Sequence, residues 1–576
     1  MTHKLHQRLW AVVAALALAV LPASCSNPMG FPESGDVERL PTTGQRSKRV
    51  FTNPRGPQDD DQPEGIVKGF LDAMPAGVQS DGFHVARQFL TAKAARGWDG
   101  NSTFLVAIET PKLVRGVVPE HEGDTATHNS AVEADVRVKG QLDGGGQYTA
   151  AEPGTVKPLM FTLTKVKGQW RIAKAPSVVV ILDSDFEQVF RQVTLYRADA
   201  SSRVLIPDVR WLAWRDWRVL AVKELLTNDV KWLGDAARNV NTRSAKLAVN
   251  TIPIENDKVQ IRLNDGFDQL PDADKAMLVR EIRLTLGDGD VDYDMNVTAA
   301  SSQNYSHADA GLTIEAAPAS LPVYSLSAGN IVSLDSSAPL RVGEVEGSEG
   351  AKGFVFGPGG GALLAADSHV ECLKPNGSSC GAMFDGTPLS QITGGVKNEI
   401  WGLTQDGRQL VVQDGASTPL TLPLPWLGPS TVAGIAISPD GSRVALAVES
   451  GPLTGVVMVG IVRNQAGAPQ RVSGSVARVS SRYGVSMLTF YNDTTLVYVA
   501  PGLSGVAAQG FRQIGPGPEQ TQRLPGDEVR FITNGRISDA PRLAALDAHG
   551  VVHSDSGALD GSWAIVDTQS TVVSQR

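Results

Sequence analysis

Successive stretches of the chain carry different hydrophobic rhythms. Residues 9–21 are almost unbroken apolar, behind Lys4 and Arg8. The run of about 13 residues falls short of the roughly 20 that a membrane-spanning helix needs. With small residues Ala23 and Ser24 after it, the pattern is that of a secretory signal segment, 1–24. Residues 26–62 then lose nearly all apolar content and fill with Pro, Gly, Ser and both charge signs, which predicts a flexible stalk over 25–62. Helical spacing begins at Ile66, Val67, Phe70, Leu71 and Met74 and resumes at Val85, Phe89 and Leu90, ending near Trp98. Strand-like segments follow at 103–108, 131–138, 159–166 and 169–173, with Lys167-Gly168 as a hairpin turn. Two helices and a meander predict an α+β domain of the cone-shaped, NTF2-like kind over 63–185.

From 186 to 305 the rhythm alternates between the two periods. Strands are expected at 192–197 and 204–207, a helix at 214–226, a strand at 258–263 through Val259, Ile261 and Leu263, a helix at 273–286, and a last strand at 290–298. This is an α/β unit. Beyond 306 helical periodicity fades. Gly353-Phe-Val-Phe-Gly-Pro-Gly-Gly, Ile400-Trp-Gly-Leu-Thr-Gln-Asp-Gly, Ile435-Ala-Ile-Ser-Pro-Asp-Gly and Met487-Leu-Thr-Phe-Tyr-Asn-Asp read as one repeated strand-and-turn element. Its spacing, roughly 35 to 50 residues, is that of propeller blades. An all-β propeller of about six blades over 306–576 is expected, with a pair of β-sandwiches as the rival. The fold class is thus multidomain: α+β, then α/β, then all-β.

Composition narrows the function. A net charge of −9 argues against nucleic acid, which selects a basic footprint. Of the three cysteines, Cys372 and Cys380 flank a Pro375-Asn376-Gly377 turn and predict a disulfide-bridged hairpin in an oxidising compartment. The third, Cys25, closes Val20-Leu-Pro-Ala-Ser-Cys, which resembles the lipobox of bacterial lipoproteins, although Pro22 stands where an aliphatic residue is usual. That resemblance implies lipidation at Cys25, a membrane anchor without a spanning helix, and a chain working on the extracytoplasmic face. Arg46, Lys48 and Arg49, followed by Asp59 to Asp61, read as solvated linker charges.

Candidate chemistry is sparse. Gly377-Ser-Ser-Cys-Gly fits the spacing around a hydrolase nucleophile, but Ser379 sits in a Gly-rich β region rather than at a strand–turn–helix elbow. Asp288, Asp290, Asp292 and Asp294 alternate, yet Tyr293 and Ala299 stand where a calcium loop needs Gly and Glu, so an acidic edge strand is the expectation. His549 and His553 alone do not make a zinc site, and His84, near Arg87 and Asp99, reads as a surface histidine. No cofactor, metal site or catalytic set is expected. Trp211, Trp214, Trp217 and Trp232, interleaved with Arg210, Arg215 and Arg218, enrich the second unit. Core packing explains most of them. An exposed member would mark a protein interface, where Trp and Arg are favoured, with Trp214, Trp217, Arg215 and Arg218 as candidates.

Leu195-Tyr-Arg-Ala-Asp199 and Ile206-Pro-Asp208, with the helix and strand order after them, resemble the non-catalytic GerMN module of bacterial envelope and germination proteins. Adding Ala86-Arg-Gln-Phe-Leu-Thr91, the lipobox and the propeller, the whole chain resembles the actinobacterial LpqB lipoprotein family. The resemblance implies a non-enzymatic envelope lipoprotein that binds the extracytoplasmic domain of a sensor histidine kinase, MtrB-like, and modulates envelope and division signalling. An envelope glycan- or small-ligand-binding protein, or a propeller enzyme, is the rival reading.

Overall fold

The computed structural model describes residues 54–116, 130–227, 232–315, 320–336, 338–501, 508–526, 528–557 and 561–575. All belong to one compact body, Val50–Arg576. Cys25, the expected signal segment and the basic cluster lie outside the described residues.

In the first unit, Pro63 opens helix α1, Pro63–Asp72, where its missing N–H costs nothing. The predicted stripe is buried through Ile66, Val67, Phe70 and Leu71. The second expected helix is broken into α2, His84–Gln88, and α3, Ala92–Gly97. Phe89 caps the end of the first, and Thr91 caps the start of the second, its hydroxyl accepting from the Ala94 N–H at 3.3 Å. Strands β1 (Thr103–Ala107), β2 (Lys112–Gly116), β3 (Ser130–Asp143), β4 (Tyr148–Ala150), β5 (Val156–Val166), β6 (Gln169–Lys174) and β7 (Val179–Leu182) form one sheet in the order β6-β5-β3-β1-β7. β2 and β4 add along the two halves of long β3. Lys167 and Gly168 both take positive φ, 50° and 84°, as a tight hairpin between β5 and β6 demands. Residues 54–62, expected as the end of the stalk, instead lie against this unit. Asp60 donates its N–H to Gln169 Oε1 at 3.1 Å, and a Cβ at Gly56 would meet Gln88.

The second unit starts with the hairpin β8 (Phe190–Ala198) and β9 (Leu205–Ala213), paired Arg197↔Ile206 and Leu195↔Asp208. Helix α4, Trp217–Thr227, begins three residues later than expected, because β9 continues through Trp211 to Ala213. β10 (Ile254–Glu255), β11 (Lys258–Arg262) and β12 (Met295–Thr298) make a small sheet beside helix α5, Asp272–Leu286. The acidic run expected as an edge strand is not one: β12 starts at Met295, and Asp288 to Asp294 form turns before it.

Six four-stranded sheets follow, the blades of a propeller. Blades two to six run consecutively over 353–382, 389–423, 432–480, 487–522 and 529–567. Blade one is shared between the ends of the region. Its outer strands are Tyr324–Ser327, Asn330–Ser333 and Leu340–Glu344, and its innermost is the C-terminal Ser570–Val573, which pairs antiparallel with Tyr324–Ser327. Ser574 then bridges to Phe354 of blade two, closing the ring. A blade has two apolar faces and no means of covering both alone, so this closure leaves no unpaired neighbour. The repeated element is the innermost strand and first turn of blades two, four and five. In blade three it is out of phase, since Ile400-Trp401 lies on the second strand, Glu399–Thr404.

Candidate functional site

The site begins with one strand. Eight of the nine residues of β9 are buried, and its side chains enter three different cores. Leu205 and Leu212 belong to the core of the second unit, Ile206 to a cluster with blades four and five, and Trp211 to the core of the first unit. Trp211 packs 5.0 Å from Phe186 and donates its Nε1–H to Pro516 O of blade five at 3.1 Å, while its N–H reaches Gly146 O of the first unit at 2.8 Å. Glycine is required where the backbones close up. A Cβ at Gly515, whose φ is +51°, would lie 2.5 Å from Val209, and one at Gly460 would lie 2.4 Å from Ala236.

Charges are buried at this junction. Asp208 is wholly inaccessible and accepts from Arg210 Nη2 at 2.7 Å, Arg197 Nε at 3.2 Å and Trp232 Nε1 at 3.1 Å. Burial alone would raise its pKa, but the Arg210 and Arg197 guanidiniums and the hydrogen bonds of Arg210 and Trp232 hold it below the usual carboxylate range. Arg210 also reaches Gly145 O of the first unit at 3.4 Å. From the propeller, buried Arg443 donates to Pro207 O of β9 at 3.2 Å, to Asp440 at 2.6 Å and to Asp493 O at 2.7 Å. Asp199, ahead of the β8–β9 connection, accepts from the N–H groups of Arg203 and Val204 at 2.8 and 3.0 Å. The short runs singled out in the sequence therefore meet: Arg197 of one pairs with Asp208 of the other.

The four candidate partner residues gather beside this strand: Trp217 is buried, Trp214 and Arg218 are half-buried and Arg215 is exposed. Trp217 is buried, with Arg191 of β8 over its ring at 4.2 Å and Arg218 at 4.6 Å. Trp214 precedes α4, half-buried, its ring 5.3 Å from the same Arg191 and its Nε1–H on Glu187 O at 3.1 Å. Trp214, expected inside the helix at 214–226, lies just before it, and both it and Trp217 converge on Arg191. Arg215 is exposed and ties the unit to its neighbour, Nη1 donating to Ser80 O at 2.9 Å. Sequence reading missed Arg191, which lies 23 residues before Trp214 and has no marker in its own neighbourhood.

Elsewhere, Cys372 and Cys380 form a disulfide across the outer strands of blade two, Cα–Cα 5.1 Å. Ser379 is exposed on the outermost of these, followed by a three-residue 3-10 turn, Phe384–Gly386, and not by the α-helix of a nucleophile elbow. His553 pairs with Asp547 at 2.9 Å, and among the described residues no group of three or more His, Cys, Asp or Glu is placed to hold a metal ion.

The N-terminal domain of lipoprotein LpqB matches residues 56–187, and the LpqB β-propeller domain matches 368–571. Lipoprotein LpqB of Bifidobacterium longum is 45% identical over 566 residues, 98% of each chain. The chain belongs to the LpqB lipoprotein family. The LpqB lipoproteins of Streptomyces avermitilis and Mycolicibacterium smegmatis are each 25% identical, covering 94% and 79% of this chain and 94% and 80% of theirs. A solved structure of virginiamycin B lyase from Staphylococcus aureus covers 39% of this chain and 86% of its own, at 12% identity and TM-score 0.28. Membership makes the chain a lipoprotein. No helix among the described residues is long and apolar enough to cross a membrane.

Proposed function

We propose that this lipoprotein is lipidated on Cys25, stands on the extracytoplasmic face of the cell membrane, and binds the extracytoplasmic sensor domain of a two-component histidine kinase, MtrB-like, to modulate envelope and division signalling. The observation that carries the reading is the match to lipoprotein LpqB, 45% identical over 98% of both chains. Geometry supports it. Strand β9 is built into three cores, so a partner bound to any one unit engages a body whose parts move together. A lipid anchor confines that body to the plane of its receptor and raises their effective concentration without a tight interface. Regulation then requires only that the lipoprotein bind one kinase state better than the other. The second unit is the favoured contact surface: it exposes Val249, Ile254 and Val291 together with Arg215. The test is pull-down and titration of the sensor domain with the full-length lipoprotein in detergent. Ile254→Asp and Val291→Asp are expected to weaken binding by about tenfold each, roughly 1.4 kcal/mol, without shifting the melting temperature.

A further inference from the structure

At one mouth of the propeller channel, where the inner strands of blades three, four and five end, lies a cavity of about 380 Å³. That falls in the size class of small-molecule sites, roughly 300 to 1,000 Å³. Its wall is mostly apolar: Leu321, Ile437, Pro439, Phe490 and Pro541. Into this wall the chain places a few polar groups that lack partners among the described residues. Asn534 donates its Nδ2–H to Tyr491 O at 2.8 Å, and this orients its Oδ1, buried and unbonded. Ser320 Oγ is likewise buried and unbonded. Among the described residues no hydrogen bond reaches the Asp493 carboxylate. The nearby cation, Arg443, is spent on Asp440, on Pro207 O and on the backbone oxygen of Asp493 itself. Burial and then neighbouring Asp440 push the Asp493 carboxyl above its ordinary range, Arg443 acting against them. Lys397 stands exposed at the rim. Glu315, whose pKa is lowered by its hydrogen bond from Arg203 and then by the Lys397 charge, is held by Arg203 Nε at 2.7 Å.

A buried acceptor left unpaired costs on the order of 1–3 kcal/mol, which a ligand carrying the matching donor recovers. One carboxylate with an amide oxygen at depth, one ammonium at the rim and an apolar wall between them match a molecule with a cation, an anion and a small apolar body. We propose that the cavity binds a small zwitterion of the α-amino-acid or short-peptide type. Its ammonium donates to Asp493 and Asn534 Oδ1, its carboxylate faces Lys397 and accepts from Ser320 Oγ, and its side chain rests on Phe490 and Leu321. The segment through Ser320 and Leu321 joins the second unit to the propeller, and Leu321 O accepts from the Arg536 N–H at 2.8 Å.

The test is calorimetric titration of the full-length protein in detergent with L-alanine, L-leucine and L-alanyl-L-leucine, alongside N-acetyl-leucine and leucinamide. The expected result is saturable binding of at least one unblocked probe, weakened about tenfold or more by either blocking group, by Asp493→Asn and by Lys397→Met. Lys397 is exposed, so its variant folds normally and keeps the test decisive if Asp493→Asn unfolds. Absence of saturable heat with every unblocked probe at millimolar concentration overturns the proposal. So does binding that Lys397→Met and both blocks leave unchanged. Neither outcome bears on the kinase reading, which needs no small ligand.

Discussion

Removing the carboxylate of Asp208 strands two guanidiniums, Arg197 and Arg210, in a region without water. Breaking a buried ion cluster in this way costs about 3–5 kcal/mol, so Asp208→Ala is expected to lose that much in urea unfolding. Trp211→Phe loses the bond to Pro516, about 0.5–1.5 kcal/mol, and leaves part of the indole's buried space empty, so it is expected to cost more than the bond alone. Glu281 gives the same junction a pH dependence. It is buried in the second unit and accepts the Ala198 N–H at 2.7 Å. Burial raises its pKa from 4.5 to about 7, against the Ala198 bond and the Arg197 and Arg238 charges. The folded state therefore holds a proton that the unfolded chain releases above its own pKa. The stability this contributes is complete below pH 4.5 and is lost as pH rises to about 7. A shift of that size corresponds to about 3 kcal/mol. Glu281→Gln should flatten the melting-temperature profile between these limits, and an unaltered profile would show that another group sets it. At this scale the sequence was half legible. Arg197, Asp199 and Asp208 stood out as motif residues, but nothing local said that they meet, because Arg197 and Asp208 come together only through the hairpin register.

The elements read best where a rhythm was long. Helices α1 and α5 and strands β3, β5, β8 and β11 declare themselves by periodicity. Strands β2, β4 and β7 do not: they are short additions to the halves and edge of a sheet, and their pairing lies far along the chain. The late start of α4 has a clear cause. Its apolar spacing extends backward into β9, whose two-sided burial reads equally well as helix. Blade three slipped out of phase because its first strand, Leu389–Gly394, is interrupted by Ser390, Gln391 and Thr393, whereas the second carries the apolar run and tight turn of the repeat. Two predictions belong here. A valine at Gly460 would drive its side chain into Ala236, overpacking that costs about 1–3 kcal/mol. Hydrogen exchange should then rise around Leu233 and Ala236 and stay unchanged in blade two. Deleting the residues after Thr568 removes the innermost strand of blade one. The propeller should then melt earlier and aggregate through the opened edge, whereas an unchanged melt would contradict ring closure by the C-terminus.

For the whole molecule, the order of units was readable from composition and rhythm, and the full-length relationship to LpqB lipoproteins agrees with it. How the units pack was not readable, because the contacts belong to β9, Arg443 and the glycines at 460 and 515, none of which carries a signal beyond its own element. The same packing gives the tryptophan–arginine cluster a role inside the chain: Trp217 and Arg191 pack together, and Arg215 bridges to the first unit. The central claim is that this body is a membrane-held ligand of a kinase sensor domain. The most direct measurement is the affinity of the full-length lipoprotein, in nanodiscs, for the isolated extracytoplasmic sensor domain of its cognate kinase, repeated with Ile254→Asp. The account predicts saturable binding that survives moderate salt and weakens about tenfold in the variant. No binding at high micromolar sensor domain, or binding that the variant leaves untouched while moderate salt abolishes it, would contradict it.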